Sequence, residues 1–432
     1  MRLPGLFSSG GTAGFVPSSP VTPITISFAW VGNVVEDGAT IKLRSANADS
    51  VALRYSTDPD LIGFATEFGS EGADEVWTVD LTGLAADTRY YFGFAGSALT
   101  GTFKTWPTEG TAHSFLIVAS GDTGLSADYA GVASDVANPP TWDRMLEHEP
   151  LICIVLGDFH YRNLNTSSQA AYRNAYQDVL AASHVKDFVR QVPTCYVWDD
   201  HDYGPNDSDG TYSHKDVAQA VYREYVPAWP LAEADAIYHS FVIGRVRFIN
   251  IDSRSDRSPN SDTDNSSKSR LGTTQKQWLK DTLDAATEPC IVLNVMSWIG
   301  NTTAFDDGWE SFSTERTELF DYFSANGHMD RLFLIGADIH ELMSDDGSNT
   351  NFETGASTDG PPYAGFAPID ATLNDFSATA QTKFQTRKQQ YGTLEFSDTG
   401  TQITVTAKGY ALSASPGSTS VEKFSLEKVF TG

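Results

Sequence analysis

The chain has 432 residues, 40% of them hydrophobic and 12% aromatic, enough for two domains or one large domain with an appendage. It carries 29 Lys+Arg against 56 Asp+Glu, a formal net charge of −27, which repels polymeric nucleic acid and anionic lipid at long range. No apolar run reaches the roughly 18 residues of a membrane-spanning helix. The first residues, "MRLPGLFSSGGTAGFVPSS", lack a signal peptide's apolar centre and read as a loose Gly/Ser/Pro tail. Cys153, Cys195 and Cys290 lie far apart, each inside an apolar run, and read as buried free thiols rather than a disulfide framework.

Residues 22–106 carry short alternating runs such as "ITISFAWVG", "ATIKLRSA", "SVALRYST" and "RYYFGFAG", separated by Gly/Asp/Ala turns. That pattern predicts a small all-β sandwich. Within it, "LTGLAADTRYYFGF" resembles the fibronectin type III pattern, which makes Tyr90 the corner tyrosine that bonds back to the chain. "TWPTEGTAHS" (105–114) reads as a linker. From residue 112 to 412 the pattern changes. Apolar runs ("SFLIVASGD", "LICIVLGD", "TCYVWDDHD", "SFVIGRVRFINIDSR", "CIVLNVMSW", "RLFLIGADIH") alternate with segments of helical spacing, predicting an α/β domain with helices on its faces. "DSRSDRSPNSDTDNSSKSR" (252–270) reads as a polar loop, either the lip of a site or a mobile segment.

The ends of these runs share one property. "LIVASGDTG" ends in Asp122, "CIVLGDFHY" in Asp158 and Tyr161, "YVWDDHD" in Asp200 and His201, and "LFLIGADIH" in Asp338 and His340. In open α/β sheets the C-terminal strand edge is where sites form. Gly121, Gly124, Gly157 and Gly336 stand beside these residues and let the backbone turn sharply. Carboxylates with one phenol and one imidazole suit hard to borderline cations, with no thiolate needed. Two cations bridged by a carboxylate would form a hydrolytic site. On this view the acid crowded at 199–202 is there to face cations.

The order Gly121-Asp122-Thr123-Gly124, Gly157-Asp158-Phe159-His160-Tyr161, Asp199-Asp200-His201-Asp202 and Ala337-Asp338-Ile339-His340 resembles the calcineurin-like metallophosphoesterases. "WDDHDYGPND", Asp252 and Arg254 in "NIDSRSDR", and "LGTTQKQWLKDTL" resemble its PhoD-type alkaline phosphatase and phospholipase D branch. The resemblance implies an αββα sandwich preceded by a fibronectin III/Ig-like domain. It implies hydrolysis of small phosphate esters by a metal-bound hydroxide at a di- or trinuclear centre. Asp122, Asp158, Tyr161 and His340 would hold one metal, ferric iron by virtue of the tyrosinate. Asp158, Asp200 and Asp338 would hold the second, calcium by family precedent. This chain departs from the superfamily, which often has Asn at Asp200 and His at Asp338; Ser297 and Trp298 stand where another His is expected. The second site is therefore all oxygen, which suits calcium, magnesium or manganese.

His201 is the candidate proton donor to the leaving group. Arg162 and Asn163 follow Tyr161 and are candidate phosphate contacts, as is Arg254, which could instead pair with Asp252. Two alternatives share these residues: a phosphodiesterase or phospholipase D using the same centre, and a calcium-dependent binding or adhesion module without catalysis. Family precedent also implies export to the periplasm or exterior.

Overall fold

The computed structural model describes residues 23–123, 140–299, 308–338, 340–348, 360–367, 382–384, 389–412 and 419–431. Gly124, Ile339 and the tail 1–22 lie outside the described residues.

Two four-stranded antiparallel sheets form the first part of the chain. One is ordered Ile26–Gly32, Gly38–Ser45, Val76–Thr82, Ser70–Glu71; the other Ala65–Phe68, Ala52–Ser56, Arg89–Phe94, Thr100–Lys104. Alternation explains their packing: Ile41, Leu43, Leu53, Val79, Phe92 and Phe103 turn into a common core, while Lys42 and Arg54 between them stay half-buried. Tyr90 makes the expected corner contact, its hydroxyl accepting from the Ala85 amide at 2.9 Å.

Two larger sheets follow. A six-stranded sheet runs Thr194–Val197, Ile152–Leu156, Phe115–Ser120, Gln390–Asp398, Gln402–Leu412, Ser420–Thr431. Its first three strands are parallel and the rest antiparallel. A seven-stranded sheet runs His239–Ile243, Val246–Asn250, Cys290–Leu293, Leu332–Gly336, Tyr363–Phe366, Leu342–Asp345, Thr382–Phe384, with a parallel centre.

The continuous apolar runs are buried on both faces, as parallel strands require. Ile152, Ile154 and Leu156 share one core with Ile291, Leu293, Phe333 and Ile335, which is the seam between the sheets. Cys153, Val155, Cys290, Val292, Leu332 and Leu334 face the other way. There they join Tyr176, Leu180 and Phe188 from helices Gln169–Ala181 and Ser183–Val189, and Leu279 and Phe320 from helices Gly272–Ala285 and Ser313–Ala325. The result is the helix–sheet–sheet–helix layering anticipated from the motifs. All three cysteines are buried and free.

Several elements differ from the sequence reading. "SFVIGRVRFINIDSR" is a hairpin, not one strand: Ile243 pairs with Val246 across a two-residue turn that Gly244 permits at φ 58°. The helical run after Ser168 breaks at Ala182, whose ψ of 133° is extended. Ser420–Thr431 pairs with Gln402–Leu412 and carries the sheet past the expected boundary at 412. Its alternating Glu422, Lys423, Glu427 and Lys428 suit an edge strand that must not pair further. The polar loop 252–270 is anchored: the Arg257, Arg270 and Lys268 cations lie 4.5–5.2 Å from the centre of the Phe312 ring.

The sandwich packs directly on the larger sheets. Lys42 Nζ donates to the carbonyls of Arg223 and Glu224 at 3.0 Å, capping the end of helix Lys215–Tyr225. Trp229 Nε1 donates to the Val34 carbonyl at 3.0 Å. Trp30 lies on Phe159, ring centres 5.3 Å apart.

Candidate metal centre

The parallel strands Phe115–Ser120, Ile152–Leu156 and Thr194–Val197 end at one edge, and the Gly121 amide there donates to the Phe366 carbonyl of the other sheet at 3.1 Å. Asp122, Asp158, Tyr161, Asp338 and His340 all hold left-handed backbone, at φ 55°, 54°, 55°, 67° and 55°. Non-glycine residues rarely adopt it, Asp and His more readily than Tyr. Surrounding contacts must hold them there. Gly157 is one reason the strands can meet: a Cβ on it would lie 2.6 Å from Asp199 Cβ, and its φ is 81°.

The four polar residues of "DDHD" have separate jobs. Asp199 Oδ1 accepts from Arg254 Nε at 2.5 Å, and Arg254 Nη2 reaches to 3.5 Å from Asp200 Oδ1. Both side chains of the Asp199–Arg254 pair are buried. The expected partner, Asp252, is occupied elsewhere. Its oxygens accept from Trp198 Nε1 and from the backbone amides of Ile237, Arg254 and Ser255, at 3.0–3.1 Å. Asp200 accepts from the Asp207 amide at 2.6 Å.

Asp202 does not face a cation site at all. It accepts from the amides of Phe159, His160 and Tyr161 at 2.8, 2.9 and 3.2 Å and from the Tyr196 hydroxyl at 2.7 Å. It thereby folds the 158–161 turn. Asp202→Ala is expected to cost about 3 kcal/mol or more, since it strands buried donors. Chemical denaturation checks this; a loss under 1 kcal/mol would contradict it.

Asp158, Asp200 and His201 offer ligand atoms within 4.8 Å of one another, and so do Asp199, Asp200 and Asp338. His340 Nε2 lies 2.9 Å from Asp122 Oδ1. Asp200 thus joins two clusters. Tyr161 is buried and its ring stacks on His201 at 3.8 Å. Arg162 instead pairs with Asp178 at 2.9 Å on a partly exposed face, and Asn163 contacts His201. Sequence reasoning overlooked Asp199 as a neighbour of Asp338 and Asp202 as the organiser of the turn. Both lay in view inside "WDDHD", but which of its acids faces which way is set by the start of the short helix Asp200–Tyr203.

Asp122 Oδ2 and Asp158 Oδ1 are buried without a hydrogen-bond partner among the described residues. Burial first, then the Asp200, Asp199, Asp122 and Asp202 charges, push the Asp158 carboxyl well above its ordinary range. Buried carboxylates at this density are costly unless something positive lies among them. Arg254 faces Asp199 and Asp200. The donor set, rich in oxygen with imidazole and phenol at its margin, fits metal cations.

Comparisons with known proteins agree with this chemistry. The profile of a family described as PhoD-like phosphatase matches residues 140–411. A solved structure titled "Structure of PhoD" covers 97% of this chain and 92% of its own, with 16% identity and a TM-score of 0.75. The purple acid phosphatase PPD1 from yellow lupin (Lupinus luteus) seeds covers 95% of this chain and 74% of its own, with 14% identity and a TM-score of 0.64. At these identities the two structures speak for the fold. Purple acid phosphatase 23 of Arabidopsis thaliana is 24% identical over 326 residues, 69% of this chain; the chain spans 63% of that protein's length.

Proposed function

Because the chain belongs to the PhoD-like phosphatase family, we propose that it hydrolyses small phosphate esters with metal ions held by Asp122, Asp158, Tyr161, Asp200, Asp338 and His340. The observation that carries this reading is the convergence of Asp122 and Asp158, each with a buried oxygen, Asp122 Oδ2 and Asp158 Oδ1, that lacks a hydrogen-bond partner among the described residues. Asp122, Asp158, Tyr161 and His340 would hold ferric iron, the phenolate being a hard anionic donor. Asp158, Asp200 and Asp338 would hold calcium, magnesium or manganese. Asp199, within 4.8 Å of the latter two, would add charge that Arg254 partly offsets. When bound, such ions supply Lewis acidity toward the phosphoryl oxygens and acidify the attacking water.

The chain's own residues do the rest. By holding cations, the carboxylates would fix where the anionic phosphoryl group can settle on a molecule whose net charge otherwise repels it. His201, stacked on Tyr161 and only 6% exposed, presents Nε2 beside Asp158 at 3.9 Å. From there it hands a proton to the departing oxygen. Arg254, fully buried, acts behind Asp199 and Asp200 rather than on substrate. Family membership speaks against the adhesion-module alternative.

Elemental analysis paired with rates on an aryl phosphate monoester and diester tests the proposal. Iron and an alkaline-earth ion or manganese are expected, with the monoester faster. A metal-free protein inactive on both esters when supplied with metals would refute it. His201→Ala should lower turnover about 10²–10⁴-fold with metal content unchanged.

A further inference from the structure

We infer that a cavity at the far end of the two large sheets, opposite the proposed metal centre, binds a small zwitterion with an apolar body, of the amino-acid class. The cavity measures about 650 Å³, within the usual range of small-molecule sites. Strands Cys290–Leu293 and Leu332–Gly336 start beside it, at Pro289 and Arg331. The second of them runs about 16 Å to the edge that carries Asp338. None of the proposed metal ligands lines the cavity, so the site stands apart from the hydrolytic reading. Its floor is apolar: Val242, Ile403 and Phe430 come from strands of both sheets.

Charges on the wall fall into two groups. Arg245 is held by Asp398, Nε to Oδ2 at 2.9 Å, and Glu288 by Arg247 at 2.6 Å, so these are already answered. Arg331, Lys428, Glu109 and Asp330 are left, and none of them joins an ion pair among the described residues. The Arg331 guanidinium donates to neutral partners instead, Nη2 to the Leu283 carbonyl at 2.5 Å and to His328 Nδ1 at 2.7 Å. Those bonds fix it at the wall. The Lys428 ammonium lies 5.8 Å from the centre of the Phe430 ring. Glu109 is set at the mouth by the linker, whose Gly110 amide donates to the Gly244 carbonyl at 2.7 Å. Two cations and two carboxylates thus share one cavity without meeting, which leaves both signs for a ligand. A purely anionic molecule is repelled at range by the net charge of −27. A purely cationic one leaves Arg331 and Lys428 unanswered. A zwitterion has no net charge to repel: its anionic end meets Arg331 and Lys428, its ammonium meets Glu109 and Asp330, and its body covers Phe430.

Ligand-observed NMR on the full chain tests this with three probes of similar shape: phenylalanine, 3-phenylpropanoate, which lacks the ammonium, and phenethylamine, which lacks the carboxylate. Phenylalanine is expected to bind about tenfold or more tightly than either, since a hydrogen bond to a charged group is worth about that factor. K428Q and E109Q should each weaken phenylalanine about tenfold. Lys428 is half-buried and Glu109 exposed, so neither change threatens the fold. D158N, at the other end of the sheets, should leave phenylalanine binding unchanged. Equal affinity for the three probes would overturn the inference, as would binding indifferent to both K428Q and E109Q. Binding abolished by D158N would overturn it too, by moving the ligand to the metal centre. So would the absence of any signal transfer to phenylalanine at about 10 mM, a concentration above the millimolar Kd of even a weak site.

Discussion

Asp158→Asn should abolish hydrolysis and yet stabilise the metal-free protein. Asp158 ends strand Ile152–Leu156 and is the carboxylate that faces both Asp200 and His201. Its replacement by a neutral amide removes a ligand proposed to serve both ions. A metal ion's contribution of several kcal/mol to the barrier corresponds to a loss of about 10³-fold or more in turnover. Stability should move the other way. Asp158 is buried among Asp200, Asp199, Asp122 and Asp202, so without cations its charge opposes folding, and Asn relieves that repulsion by on the order of 1 kcal/mol. Metal analysis, aryl phosphate assays and melting curves in chelator check both halves. A variant that keeps its metal and its turnover would remove Asp158 from the centre.

Stripping the metals should destabilise the protein in a manner that depends on pH, and the sign follows from Asp158. Its carboxyl is raised in the folded state, so the folded protein holds that proton to higher pH than the unfolded chain, whose carboxylates titrate near 4. Stability of the stripped protein is therefore fully present below about pH 4 as far as this group is concerned. It declines as pH rises toward the folded-state value. Bound cations reverse the decline by pairing with the ionised form. At a cation concentration about 1,000 times its Kd, the gain is about 4 kcal/mol. Calorimetry with and without chelator should show a gap of several degrees at pH 8, shrinking toward pH 5. An equal gap at both values, or none at pH 8, would mean that the acidic cluster is not where the ions bind.

Much of this centre was legible because its residues sit at fixed places relative to strands. A hydrophobic run followed by Gly-Asp states both where a strand stops and what stands at its end, as at Leu156-Gly157-Asp158. The sandwich was readable for a similar reason, since its alternation and Tyr90 are local signals. What could not be read was pairing between distant segments. Nothing near Arg254 says that its guanidinium reaches Asp199, 55 positions away, and the nearer Asp252 was the natural guess. The short strands Leu342–Asp345 and Tyr363–Phe366 were overlooked because four residues hold only two periods of alternation. Ser420–Thr431 was missed because an edge strand's charges dilute its apolar face, of which only Phe424 and Phe430 are buried.

The indole of Trp30 has a bearing on how this protein can be cut. Phe159 sits on the turn that bears Asp158 and Tyr161, and its wall on one side is a residue of the first strand in the chain. A fragment beginning after the linker would keep every proposed ligand while exposing Phe159 and Tyr196 to water where the tryptophan had lain. The amino-terminal sheets are thus less an accessory than the floor on which the ligand turn rests, and trimming them away would loosen the very turn the shortened fragment was meant to preserve.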